Sequence, residues 1–298
     1  HNYTLEFTSN PAWYAVQAMP YMMEYPYECA EQTFTRYYSN AIASHIMNSS
    51  PKIKQVVEDW GKNSPDAFLS NLNKNQELKS VMLEETPWVL DATNETQSKK
   101  NLSILLDMNR MSKALDKALN KTIKTQSVNG GWPWFPGMKE NRYITQHIIT
   151  GMGHLDHLGI KDIRENDKVW SMVKKGILYL DGELVKDFEN AKKYDKKYLK
   201  NQHIGYNQIQ YLYARSYFTK VGMSKATQEA VNYYKAQAKI YWLNFNIYAK
   251  GMLGLAAYRM EMTTLSTDIV NALKDNAIQH EEFGMYWKSY VSNYEEFK

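Results

Sequence analysis

The sequence predicts an all-α fold built as an array of paired helices. Three observations lead there. Apolar residues recur at helical spacing along most of the chain, and turn-forming residues interrupt that period at short intervals. No linker rich in Gly, Ser or Pro divides the 298 residues, so one domain is expected despite a length that permits two. The breaks imply roughly a dozen helices of ordinary length. No strict repeat is visible, and regularly spaced helical hairpins fit either a closed toroid or a solenoid.

Taken in order, Tyr3-Thr4-Leu5-Glu6-Phe7 alternates apolar and polar residues and reads as a strand. Residues 1–9 are therefore assigned to the tail of a preceding domain or linker, and 10–298 to the helical domain. Asn10-Pro11 supplies an N-cap followed by proline at the first helical position. The helix it opens carries Tyr14, Ala18, Tyr21 and Tyr25 on one face, with a kink expected at Pro20. A second helix is expected from Thr33 to Met47, ended by Asn48-Ser49-Ser50-Pro51. Further stripes are Ile104, Met108, Met111, Leu115 and Leu119, then Ile144, Ile148, Gly151 and Leu155, then Tyr248, Met252 and Leu255. Breaks are expected at Gly61 to Pro65, Thr86-Pro87, Asn129-Gly130-Gly131, Gly159, Asp181-Gly182, Gly222 and Thr263-Thr264.

Composition narrows the function. The chain is 44% hydrophobic and 23% charged, as a globular domain is, and its 23 tyrosines and 8 tryptophans suit extensive helix–helix contact. A net charge of +4 with lysines scattered, as in Lys192-Lys193 and Lys196-Lys197, describes solvated helix faces and offers no concentrated basic stripe for nucleic acid. No apolar run approaches the eighteen or so residues of a membrane span, so no direct insertion by this domain is expected. The start at His1, without an apolar signal region, reads as a piece of a longer protein whose export signal lies elsewhere.

One cysteine excludes an intramolecular disulfide and draws attention to its own surroundings, Tyr25-Pro26-Tyr27-Glu28-Cys29-Ala30-Glu31-Gln32-Thr33. Side chains three apart on a helical turn share a face. The layout suits an internal thioester, in which the thiolate of Cys29 displaces ammonia from the Gln32 amide. Small Ala30 eases the tight turn, and a helix starting near Gln32 favours the thiolate. The product survives only while water is excluded, and Tyr21, Tyr25, Tyr27, Phe34, Tyr37 and Tyr38 are near enough in sequence to shield it. Taken singly, each of these aromatics reads first as helix core. His45, His154, His157, His203 and His280 form no convincing site. His154 and His157 have the spacing of two metal ligands but lack evident partners. No metal or organic cofactor is expected.

The segment from Tyr25 to Thr33 resembles the thioester motif of the alpha-2-macroglobulin and complement family, whose usual core is Gly-Cys-Gly-Glu-Gln. Asn10-Pro11-Ala12-Trp13 with Met19-Pro20, Glu85-Thr86-Pro87-Trp88, and Asn129-Gly130-Gly131-Trp132-Pro133-Trp134-Phe135 are similar to stretches of the bacterial thioester domains. Specific motifs cover residues 3 to 160, and beyond them the resemblance rests on helix number and length. Two departures stand out: Glu28 and Ala30 replace the glycines flanking the family cysteine, and Glu28 sets a carboxylate beside the reactive pair.

The resemblance implies an α/α toroid like the terpenoid cyclase and prenyltransferase barrels. It implies the thioester domain of a bacterial alpha-2-macroglobulin, a periplasmic or cell-surface protease inhibitor and not a turnover enzyme. A protease cleaves a bait region elsewhere, neighbouring macroglobulin-like domains rearrange, and the exposed thioester traps the protease covalently. In complement-type members a histidine of a later helix attacks the thioester first. Here Thr145 occupies the equivalent place, and His147, two residues on, is expected to point elsewhere, so direct attack by lysine amines is expected. Trp132 and Trp134 either cover the thioester or fill the end of the toroid beside the Gly130-Gly131 turn. Tyr286-Trp287 resembles a motif that the family follows with further helix, which implies that Phe297-Lys298 cuts the last helix pair. The alternatives are an α/α-toroid carbohydrate-active enzyme using carboxylates among Glu24, Glu28 and Glu31, and a binding module whose thioester is inactive.

Overall fold

A computed structural model of the protein describes residues 29–49, 55, 108–160, 163–282 and 284–287. The fold is all-α, with eight α-helices, one short 3-10 turn and two small antiparallel ribbons among the described residues. No helix among them is long and apolar enough to cross a membrane. The expected strand at Tyr3–Phe7, the helix opened by Asn10-Pro11 and the breaks at Gly61–Pro65 and Thr86-Pro87 lie outside the described residues. The chain forms two compact units, His1–Gly176 and Ile177–Lys298.

In the first unit, α1 (Ala30–Ser49) packs against α2 (Met108–Thr125) and α3 (Arg142–His157). Ala30, Thr33, Phe34, Tyr37 and Ala41 are buried along one stripe of α1, and Ser39 and Ala43 are buried beside it. Two covered faces are what a helix lying against two others requires. The Ser49 hydroxyl donates to the carbonyl of His45 at 2.7 Å and so occupies a last-turn acceptor. In α2, Leu115, Ala118 and Thr122 are buried while Lys113, Lys117 and Lys124 face solvent.

A tight turn follows α2, as the glycines predict. Gly130 has φ +94°, and a Cβ on it would lie 2.2 Å from the carbonyl oxygen of Lys175, so only glycine fits there. The turn leads into a two-residue ribbon, β1 (Trp132–Pro133) with β2 (Glu140–Asn141), which delivers the chain to α3. Asn141 caps α3 by accepting the Ile144 N–H at 3.2 Å. The stripe Ile144, Ile148, Gly151 and Leu155 is buried as expected. Gly159, at φ +66°, closes α3, with the Ile160 N–H donating to the Leu155 carbonyl at 3.0 Å.

Helix α4 (Asp167–Tyr194) corrects one expectation. Asp181-Gly182 does not break it. Asp181 is buried with its carboxylate engaged by Tyr211 and Arg215, and this tertiary fixing outweighs the weak helix propensity of the pair.

The second unit contains α5 (Tyr206–Ser216), α6 (Lys225–Tyr241), α7 (Ile247–Arg259) and α8 (Thr263–Asp275). Helix α7 packs against α5 and α8, but not with the face the sequence suggested. Tyr248 and Leu255 are exposed, while Ala249, Leu253, Ala256 and Ala257 are buried with Met252. The helix is apolar nearly all round, and its alanine face is the one that lets a neighbour approach closely. A small antiparallel ribbon, β3 (Ile278–His280) with β4 (Gly284–Tyr286), follows α8. Trp287 donates its indole N–H to the Leu273 carbonyl at 2.7 Å.

Candidate thioester site at the start of helix α1

Because α1 begins at Ala30, Cys29 stands at its N-cap and Gln32 at the third helical position. The helix therefore starts slightly earlier than expected, and this changes what the cysteine does. Its sulfur accepts the backbone N–H of Gln32 at 3.4 Å, and its carbonyl accepts the N–H of Thr33 at 2.9 Å. This is N-capping with sulfur in place of a hydroxyl oxygen. Residues three apart on a helical turn share a face, the placement that a bond between Cys29 Sγ and the Gln32 acyl carbon needs. Cys29 is only 6% exposed, so its sulfur is largely screened from bulk water.

The first helical N–H, that of Ala30, donates to the carbonyl of Trp134 at 2.9 Å. Two sequence motifs a hundred residues apart thus meet at one helix end. Trp134 itself is 38% exposed and stacks on Tyr143 at 6.0 Å. Trp132 is wholly buried, donating its indole N–H to the Thr122 carbonyl at 2.8 Å and its backbone N–H to the Thr145 hydroxyl at 3.0 Å. A Cβ at Gly176 would lie 2.9 Å from its ring, so this indole fills the interior of the unit.

Thr145 is also buried, and its hydroxyl donates to the Asn141 carbonyl at 2.9 Å while it accepts from Trp132. It ties ribbon to helix. His147 differs from expectation. The imidazole does not point away from α1. It lies edge-on to Phe34 with ring centroids 5.6 Å apart, and its ionisation feels Glu31. The reason is the crossing of α3 over α1: Phe34 packs against Gly151, and the Tyr38 hydroxyl and His154 Nδ1 lie 3.2 Å apart, so positions 147, 151 and 154 share the face toward α1. His147 Nε2 is buried and has no hydrogen-bond partner among the described residues. Burial holds the imidazole below its usual range, against the opposing pull of Glu31.

Phe34 and Tyr37 are buried on α1, their rings 6.1 Å apart, and burial followed by the nearby Asp116 carboxylate pushes the Tyr37 phenol up to about 12. Tyr21, Glu24, Tyr25, Pro26, Tyr27 and Glu28 lie outside the described residues. Glu31 receives a hydrogen bond from the Thr35 hydroxyl at 3.2 Å, and its other oxygen lies 4.0 Å from Cys29 Sγ. Sequence reasoning treated Glu31 only as a motif neighbour or a hydrolase carboxylate. The signal for the cap was present, since Cys-x-x-Gln is Ser/Thr-x-x-Gln with one atom changed. Among the described residues no group of three His, Cys, Asp or Glu side chains is placed to hold a metal ion.

Compared with protein-family models, with curated proteins and with solved structures, the chain matches none.

Proposed function

We propose that the chain is the thioester domain of a bacterial alpha-2-macroglobulin-like protease inhibitor, built as an α/α toroid. The observation that carries the reading is the buried Cys29 at a helix N-cap with Gln32 at the third position and its N–H on the sulfur. Residues three apart on a helical turn share a face, and proximity of nucleophile and amide is what makes an intramolecular acyl transfer fast. The thiolate attacks the Gln32 side-chain carbonyl, ammonia leaves, and an acyl–sulfur bond is stored. When the domain is uncovered, a lysine amine of the attacking protease adds to the same carbon. Cys29 departs as a thiol, and an amide joins the two proteins.

The trap is single-use, so the protein is not a turnover enzyme and requires no metal or organic cofactor. Its partners are proteases and the neighbouring macroglobulin-like domains of the longer protein, in the periplasm or at the cell surface. With Thr145 committed to the ribbon, the reading favours amines over hydroxyls as nucleophiles.

The test is conjugation. The longer protein, incubated with an active protease, should give an SDS-stable adduct that resists hydroxylamine, as an amide does and an ester does not. Cys29→Ala should form none. Absence of an adduct with the wild type, or an undiminished one with Cys29→Ala, defeats the proposal.

A further inference from the structure

The first turn of α1 holds a carboxylate against the reactive sulfur. The Cys29 thiol is oriented to donate to Glu31 Oε2 across a long 4.0 Å contact. Glu31 Oε1 accepts from the Thr35 hydroxyl at 3.2 Å, which fixes the carboxylate and leaves Oε2 as the oxygen turned to the sulfur. The Gln32 N–H reaches the same sulfur from the other side at 3.4 Å. One atom thus has a proton acceptor beside it and a donor ready to steady the charge that develops when the proton leaves.

We infer that Glu31 is a catalytic residue for making the thioester, shuttling the thiol proton of Cys29 to the amide nitrogen that leaves Gln32. The inference rests on the thioester reading. The step balances without an oxidant or co-reactant. The S–H bond breaks as the proton passes to Oε2, and sulfur bonds to the Gln32 side-chain carbon. The tetrahedral adduct then collapses with cleavage of the C–N bond. The nitrogen takes the proton from the Glu31 carboxylic acid and departs as ammonia, and the carboxylate is restored. An amide nitrogen leaves poorly unless protonated, so the returning proton matters as much as its removal. A carboxylate in the first turn also favours the helix macrodipole. That role alone affects stability and leaves the rate of ammonia loss unchanged.

The longer protein is made by cell-free synthesis, and samples are alkylated and weighed intact over time. The wild type should lose the mass of one ammonia, and Glu31→Gln should do so at least about 100-fold more slowly, the size of effect general acid–base catalysis supplies. If Glu31→Gln loses its helical circular dichroism, Thr35→Val decides. It keeps the carboxylate but releases Oε1, and a slowing of about tenfold or more supports the inference. Wild-type rates in the folded Glu31→Gln variant, or in Thr35→Val where that variant decides, overturn the role of Glu31 and leave the thioester standing. A wild type that keeps its ammonia throughout sinks the thioester reading itself, and this inference with it.

Discussion

Gly151→Ala is the substitution that most directly probes how α1 is held. A Cβ at Gly151 would lie 2.4 Å from Phe34 Cε1 and 2.6 Å from Cζ, and 3.5 Å from Tyr38 Cδ2. Ordinary carbon contacts fall at about 3.5–4.0 Å, so the Phe34 ring must retreat by roughly 1 Å. It has little room. Phe34 is 1% exposed, edge-on to His147 and tilted against Tyr37 and Tyr38. Overpacking of this kind costs about 1–3 kcal/mol. Alanine in a helix interior returns about 0.5–1 kcal/mol relative to glycine. The net expectation is destabilisation by about 1–2 kcal/mol, read as a lower urea midpoint with unchanged m-value. Phe34→Leu should relieve much of the clash, so the double variant should be more stable than the sum of the two single effects. A Gly151→Ala protein as stable as the wild type, or more so, would refute the close approach of α3 to α1.

Other expectations follow from the same geometry. Gly130→Ala combines a clash with the Lys175 carbonyl and an unfavourable positive φ, and should cost more than about 2 kcal/mol in urea unfolding. His147 gives a pH dependence. Its folded-state pKa is depressed by burial, so the unfolded chain binds the proton more readily. The stability this contributes is complete above the usual imidazole value of about 6.5 and is lost as pH falls below it. Unfolding midpoints should therefore drop on acidification from neutrality, and His147→Phe should flatten that part of the profile. In the second unit, Arg215 is 2% exposed, donates to Asp181 at 3.2 Å and to the Val221 carbonyl at 2.6 Å, and also bonds the Phe218 carbonyl. Arg215→Met strands a buried carboxylate and should cost about 3–5 kcal/mol, measurable by chemical denaturation.

Much of the fold was legible because helical period and turn chemistry are local signals. The Ile144–Leu155 stripe, the Asn129-Gly130-Gly131 turn and the stop at Gly159 all follow from residues within a few positions of one another. Asp181-Gly182 misled because the partners that hold Asp181 within a helix, Tyr211 and Arg215, are about thirty residues away in sequence. The buried face of α7 was missed for a different reason. A helix apolar on every side has no period to read, and alanines outcompete tyrosine and leucine where backbones must come close. At the candidate site, the pairing of Cys29 with Gln32 was visible as spacing. The meeting of the Trp134 carbonyl with Ala30, and the turn of His147 toward Phe34, depend on how α3 crosses α1, which no local pattern encodes.

The central claim is a covalent bond between one sulfur and one side-chain carbon, and intact mass spectrometry of the freshly made protein tests it. The account predicts a mass short by one ammonia, no titratable Cys29 thiol, and gain of one methylamine with release of that thiol on treatment. A full-mass protein whose Cys29 is open to alkylation from the outset, and which takes up no methylamine, would contradict it.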